Sequence, residues 1–458
     1  MNNDVSVSRE KLRKPDSVTN FWLNTIALVP VLCALYWLRQ HRSSASRDMM
    51  VLLASAAVPI VVLDVAVLRV HRRASTGLDW EKEQGGDLAR VLTKLLGLAL
   101  TIGLIALAFW TFPEYHGSFY EPLYSALRGD AVFFKTVHVP SWLSLMVVAA
   151  TYVWFVDGLM REPRDAYWQL GRCVLGRFRD ARAFDVANHF RGWLVKAYFF
   201  PLMFVWLHGS VHELISFDFS GAALSNLRVY DYLYTLIFGL DLLFTTAGYA
   251  LSLRVIDTHI RTAEPTVYGW VVALFCYQPF FSLMERQYVA YGGNVTFVSW
   301  FDHWPALPWD WAMPALRWAY AIVILSLLSI YTLATIAFGM RFSNLTHRGI
   351  LTGGPYRFSK HPAYVTKNIS WWLVSVPFLH APWWEAVHHC LALGCINMIY
   401  FLRARTEERH LSRDPDYVAY ALWMNEHGVL RFLGRWFPLL RYKPPAQPAL
   451  AELSAAAE

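Results

Sequence analysis

The stretch Gly353-Gly354-Pro355-Tyr356-Arg357-Phe358-Ser359-Lys360-His361-Pro362-Ala363-Tyr364 gathers two cations, an imidazole and two phenols in one short polar run. Gly353-Gly354-Pro355 suits a tight turn, because glycine tolerates unusual backbone angles and proline fixes one. Pro362 disfavours helix at His361, so a helix boundary is expected there. Tyr356, Arg357, Lys360, His361 and Tyr364 are then presented together. Further on, Arg403-Ala404-Arg405-Thr406-Glu407-Glu408 brings cations and carboxylates. Glu407 and Glu408 are adjacent, so on a helix they point about 100° apart, one toward a pocket and the other toward water or an arginine. Asp416-Tyr417-Val418-Ala419-Tyr420 adds two tyrosines on one helical face. Cations and a carboxylate brought together suit a zwitterion, and aromatic rings beside them suit a flat ring or a further cation.

These residues sit in a chain of 458, of which 56% are hydrophobic and 16% charged. Mean hydropathy is +0.30. A soluble domain carries about a quarter charged residues, and the apolar residues here come in long runs. The expected fold is therefore all-α, a polytopic helical membrane protein. Candidate spans are 21–38, 49–70, 91–112, 140–160, 193–215, 230–252, 267–286 and 314–339. The apolar stretch 370–402, interrupted near His380-Ala381-Pro382, reads as a helical hairpin with short arms, followed by a cytoplasmic helix. Tyr36-Trp37-Leu38-Arg39 is no cleavage site, so the first span is read as retained.

Loop charge sets the expected orientation. Loop 161–196 holds eight Lys/Arg, loop 341–369 five with no acid, and the tail 403–443 eight, whereas loop 287–313 holds none. Eight spans and a hairpin put all the basic segments on one side, which the positive-inside rule makes cytoplasmic together with both termini. That membrane is expected to be the plasma (inner) membrane if the source is bacterial. Arg39, Arg42 and Arg47 fit poorly, since they fall outside. The net charge of +7 reads as topology and anionic lipid, not nucleic acid. Three regions follow: a multi-span part at 1–310, a motif-bearing part at 311–440, and a Pro/Ala-rich, disordered tail at 441–458.

Other candidates carry less. Cys33, Cys173, Cys276, Cys390 and Cys395 show no CxxC spacing and read as free thiols. His208 and His212 share a helical face, and His388-His389-Cys390 looks metal-like, but neither has a further ligand at recognisable spacing, so no metal site is expected. Asp64, Asp157, Asp241 and Glu285 fall in or at the ends of spans. Acids inside a membrane are functional candidates by default; Asp64 and Asp241 look deepest.

S-adenosylmethionine carries a carboxylate, an ammonium, a sulfonium and an adenine, and so answers the charge and aromatic set of the opening motif. On charge alone the basic residues also read as topology anchors. The ordered pattern is more specific. Thr352-Gly353-Gly354-Pro355-Tyr356-Arg357, then Lys360-His361-Pro362-Ala363-Tyr364, then Arg403-x-Arg405-Thr406-Glu407-Glu408 with Tyr417 and Tyr420, resembles the isoprenylcysteine carboxyl methyltransferases and related phospholipid methyltransferases. Gly339 to Asn344 is similar to the family's segment before the turn. The resemblance covers about residues 315 to 438 and implies a membrane methyltransferase that uses S-adenosylmethionine on a lipid or prenylated acceptor. It implies that the Gly354–Pro355–Tyr356 backbone, His361, Pro362 and Tyr364 border the cofactor. Glu407 or Glu408 would take its ammonium. Arg357 and Lys360 would take its carboxylate or an acceptor head group, and Arg341 would orient an anionic acceptor. Thr366-Lys367-Asn368 and Glu426-His427-Gly428 depart from the family pattern, which leaves the acceptor open. A carboxylate acceptor needs only alignment; an amine or hydroxyl needs a base such as His361, Glu408 or His347. Two other readings stand beside this one. One is a sterol-reductase-like enzyme using NADPH, against which the Gly-Pro-Tyr-Arg turn counts. The other is a transporter or sensor whose C-terminal end only binds ligand.

Overall fold

The computed structural model describes residues 13–82, 86–128, 141–220, 227–283, 296–302 and 312–445. Glu285 and the tail from residue 446 lie outside them. Among the described residues, seven helices are long and apolar enough to cross a membrane. They are α1 (Phe21–Gln40), α2 (Ala45–Ala66), α3 (Leu88–Thr111), α6 (Ala183–Ser216), α7 (Arg228–Ala250), α9 (Ala312–Ile336) and α11 (Trp383–Leu411). Between them lie α4 (Ser141–Leu159), apolar and slightly shorter, and the surface helix α5 (Ala166–Val174). Side-chain caps fix several starts: Asp87 accepts from the Arg90 amide and Asp165 from the Trp168 amide. The all-α architecture matches the sequence reading. The few extended residues form one antiparallel pair, β1 (Thr262–Ala263) with β2 (Thr346–His347).

The span expected at 267–286 is not one helix. It breaks into α8 (Val267–Leu274) and a short turn of helix at Phe280–Leu283. Pro279 between them has no amide hydrogen to continue the ladder, and the Gln278 carbonyl is taken by the Tyr198 hydroxyl at 2.5 Å. The chain nevertheless crosses here. Tyr230 at the start of α7 packs with Ala321 and Ile324 of α9. At the other end, Tyr249 of α7 accepts from the Asn344 amide just past α9 at 2.9 Å. Helices α7 and α9 thus run parallel, so the segment between them must return. Phe297 and Phe301, beyond the break, already pack beside Tyr230.

The hairpin also differs from expectation, since its arms are unequal. The inbound arm is α10 (Pro362–Ser375), which begins inside the polar motif, and the outbound arm is the 29-residue α11. Helix α10 lies antiparallel to α9, with the Tyr320 hydroxyl donating to the Leu373 carbonyl at 3.0 Å. Helix α12 (Pro415–His427) follows, with Pro415 in its first turn and Asp414 as its cap. Tyr442, which the sequence reading places in a disordered tail, is buried and within 2.8 Å of the Ser412 hydroxyl.

One end of the bundle collects the basic segments. The Arg261 amide donates to the His347 carbonyl at 2.9 Å, and the Val18 amide to the Ile350 carbonyl at 2.9 Å. Lys14 donates to the Thr352 carbonyl, and the Thr352 hydroxyl to the Pro15 carbonyl. The anomalous Arg39 has a structural reason. Its guanidinium caps the carbonyls of Leu214 and Phe217 at the end of α6 and lies over the Phe219 ring.

Candidate active site

Helix α11 carries the two adjacent carboxylates onto different surfaces. Glu408 turns toward α10 and is held by two cations, Lys360 at 2.5 Å and Arg405 at 2.8 Å, and by the His361 imidazole at 3.2 Å. Glu407 turns the other way, into a chamber of about 100 Å³ between α9, α10 and α11, where it accepts from the Tyr364 hydroxyl at 2.8 Å. Arg403, one helical turn before Glu407, and Lys367 on α10 line the same chamber. The Lys367 ammonium lies over the rings of Tyr331, Trp371 and Tyr400, at 5.2, 5.2 and 5.9 Å. Arg403 lies over Tyr364 and donates to Asn344 at 2.5 Å. Among the described residues, no carboxylate lies within ion-pair distance of Lys367 or Arg403, and no cation within that distance of Glu407.

The multi-span region completes this chamber. Tyr277 sits at the break in the seventh crossing, and its hydroxyl accepts from Asn344 at 3.0 Å. Glu264, beside β1, also lines the space. Asp241 of α7 lies behind it and accepts from Tyr331 at 2.8 Å and from Thr335. A smaller adjoining cavity of about 70 Å³ reaches under Tyr356, His347 and Tyr417. Burial and the two glutamates hold the Tyr417 phenol well above its ordinary pKa. Its buried hydroxyl has no hydrogen-bond partner among the described residues, so a protonated donor is available to a ligand there.

A second space opens on the other side of α10 and α11. It is a groove of about 540 Å³, of the size that takes a small-molecule ligand. Val365, Ile369, Phe401, Leu430 and Leu439 make it apolar, and its rim carries Arg431 and Arg435 beside two arginines paired with acids, Arg405 with Glu408 and Arg441 with Glu426. Lys360, His361, Tyr364 and Tyr400 line both the groove and the chamber, and so form the wall between them.

The residues singled out from sequence divide accordingly. Tyr356, Lys360, His361, Tyr364 and Glu407 meet at the chamber. Gly354 and Pro355 do not line it. Gly354 has φ +57°, and a side chain there would stand 2.5 Å from the Phe21 ring, so this turn docks α1. Pro362 is buried at the start of α10, and its place is helical. Arg357 is exposed, with its guanidinium 6.0 Å from the Phe358 ring, and does not reach the chamber. Arg341 is committed elsewhere: its guanidinium pairs with Asp64 at 2.8 Å and donates to the Ile256 carbonyl at 3.3 Å. Arg341 and Arg357 therefore do not line the chamber, and Glu408 is engaged by Lys360, Arg405 and His361. His347 faces Asp414 at 3.1 Å. Asp64, Asp157 and Asp241 are all partnered, with Arg341, with Arg90 and Lys94, and with Tyr331 and Thr335. No group of three His, Cys, Asp or Glu able to hold a metal occurs among the described residues. The sequence reading missed Lys367 as a lining group. Its signal was a lysine within an apolar arm, where an ionisable residue asks for a function.

With this geometry in place, comparison with known families is specific. Residues 317–413 match the model of the Isoprenylcysteine carboxyl methyltransferase (ICMT) family. That segment spans α9, the motif loop, α10 and α11, and contains Lys360, His361, Tyr364, Lys367, Arg403, Glu407 and Glu408. No curated protein and no solved structure matches the chain. The matched segment is thus similar to a methyltransferase family, while the preceding spans lie outside the match.

Proposed function

We propose that the chain transfers a methyl group from S-adenosylmethionine to the carboxylate of a prenylated or similarly lipid-tailed acceptor, at the cytoplasmic membrane face. The observation that carries this reading is the set of uncompensated charges in the chamber, Glu407 against Lys367 and Arg403. That set complements the amino-acid end of the cofactor, with Glu407 toward its ammonium and the two cations toward its carboxylate. Tyr356 and the free Tyr417 hydroxyl line the adjoining space on the nucleoside side. Bound there, the cofactor would supply an electrophilic methyl group on a sulfonium.

The acceptor side is supported by the groove. Its apolar wall suits a hydrocarbon tail and its arginine rim suits an anionic head. A carboxylate is already nucleophilic, so the protein has only to align it and keep water out. The wall between the two spaces holds His361 through its hydrogen bond with Glu408 at 3.2 Å. Tyr364 and Tyr400 border both spaces, and there the acceptor's head would meet the chamber. The cytoplasmic assignment rests on the basic segments collected at this end.

The test is transfer of labelled methyl by the purified full chain to a prenylated thioether carboxylate. Base-labile label, the mark of a methyl ester, is expected, with none when the acceptor carboxyl is already amidated. Base-stable label on lipid amines, or none on a folded protein, would overturn the reading.

A further inference from the structure

A third cavity lies in the multi-span region, outside the family match. It encloses about 560 Å³ between α3, α4, α5, α6 and the loop before β1. Seven lysines and arginines line it against four carboxylates. Three of those carboxylates are already neutralised. Asp157 is held by Arg90 at 2.7 Å and by Lys94 at 2.9 Å. Asp165 faces Lys94 at 3.6 Å and caps α5. Asp185 accepts from Gln169 at 2.8 Å and pairs with Arg182 at 2.9 Å. The fourth, Glu162, is exposed at the rim.

Of the remaining cations, Arg261 pairs with the buried Asp257 at 3.5 Å, whereas Lys196, Arg164 and Arg254 have no carboxylate within ion-pair distance among the described residues. The Lys196 ammonium on α6 touches only the Trp193 ring, at 4.9 Å. Arg164 lies over Trp168 at 5.3 Å. Arg254 donates to the Thr76 carbonyl at 3.2 Å and to no acid among the described residues. Two buried nitrogens on the same wall, His259 Nδ1 and Arg261 Nε, have no hydrogen-bond partner among the described residues. Burial, with Arg254, Arg261, Arg348 and Arg341 around it, pushes His259 down to about 3. Asp257 offsets Arg261 at this wall, but Lys196, Arg164 and Arg254 are left without a carboxylate partner among the described residues, and such cations favour a counter-charge.

We propose that this cavity binds a phosphate-bearing ligand, held by Lys196, Arg164 and Arg254 and lying against Trp193 and Tyr167. Lysine and arginine in this number match the several oxygens and multiple charge of a phosphate ester better than a single carboxylate. The chemistry is shared by a phospholipid head group and a soluble phosphate ester. Exposed Trp154, Phe155, Phe184 and Leu194 adjoin the lining residues in sequence and leave room for acyl chains. The proposal does not depend on the methyl-transfer reading.

The test uses the full chain in detergent. Native mass spectrometry reads retained phosphatidylglycerol, and thermal unfolding with inorganic pyrophosphate reads the soluble class. Lys196→Gln and the exposed-rim variant Arg164→Gln are expected to weaken whichever ligand binds by about tenfold. Lys196→Arg is expected to restore it, and Arg177→Gln, on the exposed surface outside the cavity, to change nothing. Lipid retention that follows this order supports the site with a lipid occupant. A pyrophosphate-induced rise in unfolding temperature that follows the same order supports it with a soluble one. Binding of neither, or binding equally insensitive to all four variants, overturns it.

Discussion

At the scale of residues, the two adjacent glutamates divide binding from architecture. Glu408 pairs with Lys360 and Arg405 and hydrogen-bonds His361. Glu408→Gln leaves those cations without their counter-charge and is expected to destabilise the fold by about 3 kcal/mol, read as thermal unfolding in detergent. Glu407→Gln keeps the Tyr364 hydrogen bond and is expected to leave stability nearly unchanged. Helical geometry foretold that the pair would diverge, but not which one faces inward. That depends on where α10 places Lys360 and His361, a tertiary fact. Lys367 was hidden for a similar reason, because a lysine beside an apolar run also reads as a span-end anchor. His259 gives the pH dependence. Its folded pKa is pushed down to about 3, below the ~6.5 of an unfolded histidine. The unfolded chain then takes up a proton first as pH falls, so stability is lost from about pH 6.5 downward. His259→Gln is expected to flatten the fall in unfolding temperature toward about pH 5.5, a contribution of roughly 1 kcal/mol. An unchanged slope would argue that His259 is solvated.

At the scale of elements, hydropathy made most spans legible because lipid demands long apolar helices. It failed at the seventh crossing, where Phe275–Phe281 stays apolar through the Gln278-Pro279 break. Composition cannot report that a helix is interrupted to deliver Tyr277 to a chamber. Hydropathy began that arm only at residue 370, because its first turns are polar, while Pro362 marked the boundary at His361 where α10 begins. Between α2 and the end of α9, Asp64 and Arg341 form a buried ion pair. Arg341→Met alone strands the Asp64 charge and is expected to destabilise by about 3–5 kcal/mol. The double variant Asp64→Leu/Arg341→Met is expected to recover much of that loss, as a double-mutant cycle on thermal unfolding would show. Equal losses in single and double variants would mean the pair adds nothing. The Gly354 turn against α1 makes a similar case. Gly354→Ala meets the Phe21 ring in a left-handed conformation and is expected to destabilise by roughly 2 kcal/mol.

At the scale of the whole molecule, the matched segment does not stand alone. The motif loop is tied to the N-terminal residues by Lys14, Pro15, Ser17 and Val18, while Asn24 donates to the Ala337 carbonyl at 3.1 Å. The chamber itself borrows Glu264 and Tyr277 from the preceding region. The sequence marked a functional boundary near residue 310, but contacts across hundreds of residues leave no local trace. The central claim is that Glu407, Lys367 and Arg403 form one zwitterion site. The most direct measurement is calorimetric titration of S-adenosylmethionine into the purified full chain, beside Glu407→Gln and Lys367→Met. Saturable binding by the parent chain, weakened about tenfold or more in each folded variant, is the expected result. Binding that persists unchanged in both variants, or no binding to a folded parent chain, would contradict it.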